Sequence, residues 1–127
     1  MPEALIIRSP YIERILSGEK IWEIRGSNTK KRGRVGLIRS KSGTVVGSAV
    51  LKGVVGPLSK KEFFKAVEKH RDQPSDPTDF EMPYKKTYAW VFSEPFEFPD
   101  PIPYTHPSGA ITWVRLPQDF KMPEPGA

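Results

Sequence analysis

Leu16-Ser17-Gly18-Glu19-Lys20-Ile21-Trp22-Glu23-Ile24-Arg25 holds the end of one periodicity and the start of another. Upstream of it, Ile12, Ile15 and Leu16 recur at helical spacing. Ser9 stands where a helix N-cap would sit, and Pro10 would fill the first helical position, where its missing N–H is not needed. Gly18 stops this helix, as a residue that tolerates the left-handed conformation. From Lys20 to Arg25 the period changes to two, placing Trp22 and Ile24 on one face of a strand and Ile21, Glu23 and Arg25 on the other. Lys20 lies at the mouth of the turn, so Lys20, Glu23 and Arg25 can meet locally.

Outward from this junction, Ala4 to Ile7 is a short apolar run suited to a buried strand, ending in Arg8. Gly26 to Gly33 is a polar loop with Lys30, Lys31 and Arg32 in a row. Arg34 to Ser40 and Thr44 to Leu51 read as a hairpin around Lys41, Ser42 and Gly43, the second arm continuing to Val55, with Gly47 and Gly53 marking bends or bulges. Ser59 opens a second helix with Glu62 placed to complete a capping box; Phe63, Phe64 and Val67 face inward, and the helix ends near His70, where the ring suits the helix dipole. Residues 71–83, with Pro74, Pro77 and Pro83, form a connection. Tyr88 to Phe92 and Ile111 to Leu116 are two more strands. Between them Pro95 to Pro107 is a proline-rich crossing that wraps a barrel edge. The fold expected is α+β: a small curved barrel of about five or six strands flanked by two short helices, spanning residues 1–117, with a loosely held tail at 118–127.

The length of 127 residues suits one domain. Its 20 Lys and Arg outnumber 15 Asp and Glu, a net charge of +5 that favours a polyanionic partner. With no cysteine, disulfides, thiolate metal sites and a cysteine nucleophile are excluded. Only His70 and His106 are available as imidazole ligands, so no metal site is expected, and no glycine-rich phosphate loop suggests a cofactor. No apolar run approaches the ~20 residues of a membrane span, and a cytoplasmic location is the expectation.

The junction resembles the ASCH signature G-x-K-x-x-E-x-R, supplied here by Gly18, Lys20, Glu23 and Arg25. A bacterial branch of that family is also similar at Gly26 to Thr29, at Pro83 to Trp90 and at Pro103 to Ala110, so the likeness covers residues 4–117. It implies a PUA-like barrel with a cleft beside the signature, associated with RNA, single-stranded nucleic acid or a modified nucleoside. Members include binders, a ribonuclease and an amidohydrolase acting on N4-acetylcytidine. The amidohydrolases have a catalytic threonine three residues after the lysine, where this chain has Glu23. Their downstream glutamate aligns with no one residue; Glu62, Glu68, Asp72 and Glu81 are near it by location.

Two readings follow from these residues. In a binding module, Lys20 and Arg25 hold anionic or carbonyl groups and Glu23 accepts from a base amino group; in a hydrolase, Lys20 and Glu23 are the catalytic pair. The bland alternative is a structural ion pair pinning strand to helix. Arg8, Ser27, Asn28 and Thr29, with the Lys30 to Arg32 run, would contact phosphate if the loop folds over the cleft. Tyr84, Lys85, Tyr88 and His106 complete the candidate ligand-binding set; His106 equally could hold its loop. Trp22, Trp90 and Trp113 either stack on bases or fill the core.

Overall fold

In the computed structural model, which describes residues 2–71 and 82–126, the strand β1 (Glu3–Ile7) leads into helix α1 (Tyr11–Ser17), closed by Gly18 in the left-handed region at φ 87°. Then come β2 (Trp22–Arg25), β3 (Gly33–Arg39), β4 (Thr44–Val55), α2 (Lys60–Lys65), α3 (Val67–His70), β5 (Tyr88–Pro103) and β6 (Trp113–Arg115). Among the described residues the six strands form one sheet in the order β2-β5-β4-β3-β1-β6, parallel only between β1 and β3.

Register shifts at Val45/Gly47, Ser48/Val50 and Leu51/Gly53 bend the long β4–β5 ladder, because each bulge adds local twist. At Gly47 an added Cβ would stand 2.5 Å from Leu16 Cδ2 and 2.6 Å from the Phe96 carbonyl oxygen, so the bend and the seating of α1 both require glycine there. The curl brings distant strands together. Trp90 of β5 stacks on Trp113 of β6 at 5.8 Å, although three strands separate them in the sheet. Arg25 of the edge strand β2 donates to the Ile6 carbonyl of β1 at 2.8 Å. The result is a half-barrel whose two edges face each other across a seam.

Ile12, Ile15 and Leu16 of α1 fill the interior with Leu5, Leu37, Leu51, Trp90 and Phe92. Trp22 and Ile24 pack outside, against Leu58, Phe63 and Ala66 of the α2 region. Burying such side chains supplies about 1.5–3 kcal/mol each relative to exposure, which is what holds so short a strand as β2 on the sheet.

Several expectations need correcting. Ser9 does not cap α1: Pro10 occupies the cap position and the Ser9 hydroxyl donates to Glu13 at 2.6 Å. The second helix is divided into α2 and α3, giving three helices among the described residues, and Phe64 and Val67 are only half-buried. His70 does not sit at an open helix end. It is fully buried, stacked on Phe63 at 4.1 Å with Nε2 at 2.7 Å from the Phe63 carbonyl. The proline-rich crossing is largely strand, since β5 runs on to Pro103. β2 pairs with Tyr88 to Val91, so beyond this point β5 is, among the described residues, an edge on that side, where alternating Pro99, Pro101 and Pro103 can be accommodated. The final strand is shorter than the Ile111 to Leu116 run. In the C-terminal tail, Phe120 and Met122 pack against the cluster of Ala4, Ile38, Phe98 and Val114. Pro74, Pro77, Asp72 and Glu81 lie outside the described residues.

Candidate functional site

The alternation of β2 sends Glu23 and Arg25 into the seam. Glu23 Oε2 accepts from Arg25 Nε at 3.0 Å and Nη2 at 2.8 Å, and that Nη2 also donates to the Ile6 carbonyl at 2.8 Å. This arrangement fixes the guanidinium across the gap between the two sheet edges. Its ring-facing side lies 5.6 Å from the centre of Trp90, whose Nε1 donates to the Ser27 carbonyl at 2.8 Å.

Lys20 comes at the same carboxylate from beneath. Its side chain is fully covered; Nζ donates to the His70 carbonyl, lies 4.0 Å from Glu23 Oε1 and sits 5.4 Å from the Tyr11 ring centre. The bond to His70 is one of several clasps on the end of α3. The Ile21 N–H donates to the Lys69 carbonyl at 2.8 Å, and Arg71 Nε donates to the Glu19 carbonyl at 3.3 Å. Together they aim Arg71 at the seam.

A cleft of about 530 Å³ opens there, walled by Arg8, Tyr11, Arg14, Glu23, Arg25, Arg71, Tyr84 and Ile111. Among the described residues, four arginines and one carboxylate line it, and that carboxylate is engaged by Arg25. Arg14 Nη1 donates to the Arg71 carbonyl at 3.1 Å, so backbone oxygens orient both Arg14 and Arg71. Among the described residues Arg8 has no ion-pair partner. Tyr84 closes over the end of β2, since a Cβ at Gly26 would come within 2.7 Å of its ring. Among the described residues no group of three or more His, Asp or Glu side chains could hold a metal ion.

The sequence profile of the ASCH domain matches residues 5–102. The chain belongs to the ASCH domain family. The solved structure of ASCH from Zymomonas mobilis is similar at a TM-score of 0.68 and 17% identity, covering 90% of this chain and 87% of that one. Two variants of the Zymomonas mobilis protein align with TM-scores of 0.67 and 0.68 at 18% and 17% identity, each covering 90% of this chain and 88% or 90% of theirs. At this identity the likeness establishes the fold. No curated protein sequence gives a significant match.

Of the candidate residues, this ASCH domain gathers Arg8, Glu23, Arg25 and Tyr84 in the cleft. Lys20 lies beneath it, and Trp22 packs away from it, with the Lys69 ammonium 4.9 Å from its ring centre. Tyr88 joins the barrel core, and Lys85 is exposed outside the cleft wall. Ser27, Asn28 and Thr29 border a separate shallow depression with Lys31 and Trp113. Their loop folds on itself rather than over the cleft: the Thr29 N–H donates to Asn28 Oδ1 at 2.7 Å, and Arg32 Nη1 donates to the Thr29 and Lys31 carbonyls. Lys31 pairs with Glu3 at 2.7 Å and lies 5.3 Å from the Trp113 ring centre. His106 faces a neighbouring concavity, held between the Tyr104 hydroxyl at 2.8 Å and the Ala110 carbonyl at 2.9 Å. Burial pushes the Tyr104 phenol above its ordinary value. The sequence reading missed Tyr11, Arg14, Arg71 and Ile111. Tyr11 and Arg14, three apart on α1, carried a local signal, but Arg71 reaches the site only through the long-range clasp.

Proposed function

We propose that this ASCH domain recognises a nucleotide, free or within an RNA strand, in the seam cleft. The reading is carried by Arg8, Arg14 and Arg71, which ring a nucleotide-sized cavity without a carboxylate partner among the described residues. Guanidinium groups pre-oriented by backbone oxygens match phosphate oxygens in fork geometry. The Glu23 carboxylate oxygens are acceptors and favour a base with an exocyclic amino group. The Tyr11 and Tyr84 rings supply faces on which a base can stack. A volume of about 530 Å³ lies within the range of small-ligand sites. The hydrolytic alternative draws no support from Lys20, whose ammonium is fully covered and already donates to the His70 carbonyl.

Titration calorimetry with nucleosides and their monophosphates tests this. The monophosphates should bind more tightly, with affinity falling as salt rises. Arg71→Ala should cost about 1.5–3 kcal/mol of that binding, the usual worth of a hydrogen bond to a charged group. Glu23→Gln should reduce preference for amino-bearing bases. Equal binding of nucleoside and monophosphate, unchanged between low and moderate salt, would overturn the proposal.

A further inference from the structure

The cleft does not end at Ile111. Ile6, Ser40 and Ile111 line both it and a second concavity of about 450 Å³, whose far wall carries Lys41, Tyr104 and His106. Ile111 stands on their shared border with 84% of its surface exposed, an unusual position for a side chain that size. The imidazole of His106 is fixed at both nitrogens, and its plane stands at 62° to the Tyr104 ring. An aromatic pair held rigid beside a cation offers a base a surface at little entropic cost.

We propose that the second concavity is a further nucleotide subsite, so that the ligand is a single strand of at least two nucleotides passing over Ile111. The proposal rests on the seam cleft being a nucleotide site. One nucleotide occupies the arginine-ringed cleft, its neighbour lies against His106 and Tyr104, and Lys41 meets the phosphate beyond. Lys41 itself has a left-handed backbone at φ 66°, which fixes the tip of the β3–β4 hairpin against this concavity. The chemistry demanded is an unpaired strand, because stacking requires base faces that a duplex hides.

Fluorescence anisotropy and competition with a nucleoside monophosphate, a dinucleotide and short RNA and DNA strands test the subsite. A strand should bind at least about tenfold more tightly than the monophosphate, as one stacked base and one phosphate contact imply. His106→Ala and Lys41→Asn, the latter tolerant of the left-handed backbone, should each remove much of that excess and leave monophosphate binding unchanged. Should His106→Ala fail to fold, Lys41→Asn and the ligand-length series still decide. Comparing RNA with DNA shows whether the 2′-hydroxyl contributes; equal binding assigns the subsite to single strands generally, and a preference assigns it to that strand. Monophosphate binding with no gain on lengthening the strand, or variants that weaken both ligands alike, would overturn the second subsite alone. No binding of any nucleotide would sink the cleft reading itself.

Discussion

Lys20, Glu23 and Arg25 sit within six positions of one another, yet each has a different task. Arg25 bridges the seam, Glu23 orients it, and Lys20 clasps α3 through the His70 carbonyl. On the proposed reading Lys20 is a positioning residue, acting on the cleft through Arg71. Replacing it with Met leaves a buried carbonyl without its donor, and denaturation should show a loss of about 1–3 kcal/mol. Nucleotide affinity should fall too, by freeing Arg71. In an Arg71→Ala background that second loss should largely vanish, since both changes act on one contact; full additivity in the double-mutant cycle would dismiss the coupling. That Glu23 and Arg25 share a face was legible from alternation, because a strand's period of two fixes which residues point the same way. That Lys20 turns inward was not, because the His70 carbonyl to which it donates lies fifty positions away, on an element whose docking no local pattern reveals.

Helix α2 is short, and its start is secured by side chains. The Glu62 N–H donates to Ser59 Oγ at 3.1 Å, and the Ser59 N–H donates to Glu62 Oε1 at 2.8 Å. Those Ser59 bonds, backbone first and then side chain, hold the Glu62 carboxyl below its ordinary value. A depressed carboxylate stabilises the fold above its unfolded pKa, and the contribution is lost as pH falls through the folded value. Ser59→Ala should cost about 1 kcal/mol at neutral pH. The gap between the native chain and Glu62→Gln should hold at neutral pH and narrow on acidification; a gap that widened in acid would contradict the cap. This box was readable from four consecutive residues. The continuation of β5 through its prolines was not, because whether a missing N–H matters depends on which flank of the strand stays unpaired.

The half-barrel and its family were legible from hydrophobic periods, turn residues and the signature at the helix-to-strand junction. So were the bends at Gly47 and Gly53 that curve it; where the sheet edges meet was not. That the two sheet edges meet, and that a cleft opens where they do, follows from bulges at Gly47 and Gly53 accumulating along β4, a property of paired strands rather than of any one segment. Arg8, Arg14, Arg25 and Arg71 come from four separate elements or loops and converge only after this curling. The basic loop at Lys30 to Arg32, conspicuous in the sequence, folds back on its own carbonyls and Glu3 instead.

The curl also lines up Arg25, Trp90, Trp113 and Lys31 as a ladder of cation, two indoles and cation, running from the cleft to the shallow depression on the other side of the seam. Indole emission responds to charge placed over the ring, so the molecule carries its own optical gauge of events in the cleft. On the proposed reading, a phosphate held by the cleft arginines beside Arg25 changes the field across Trp90, and the intrinsic fluorescence should shift in proportion to occupancy without any attached dye. Trp22, packed in a different cluster, contributes a steady background. Trp90→Phe should silence the response while Trp22→Phe preserves it; the reverse pattern would mean that the light comes from somewhere other than the ladder.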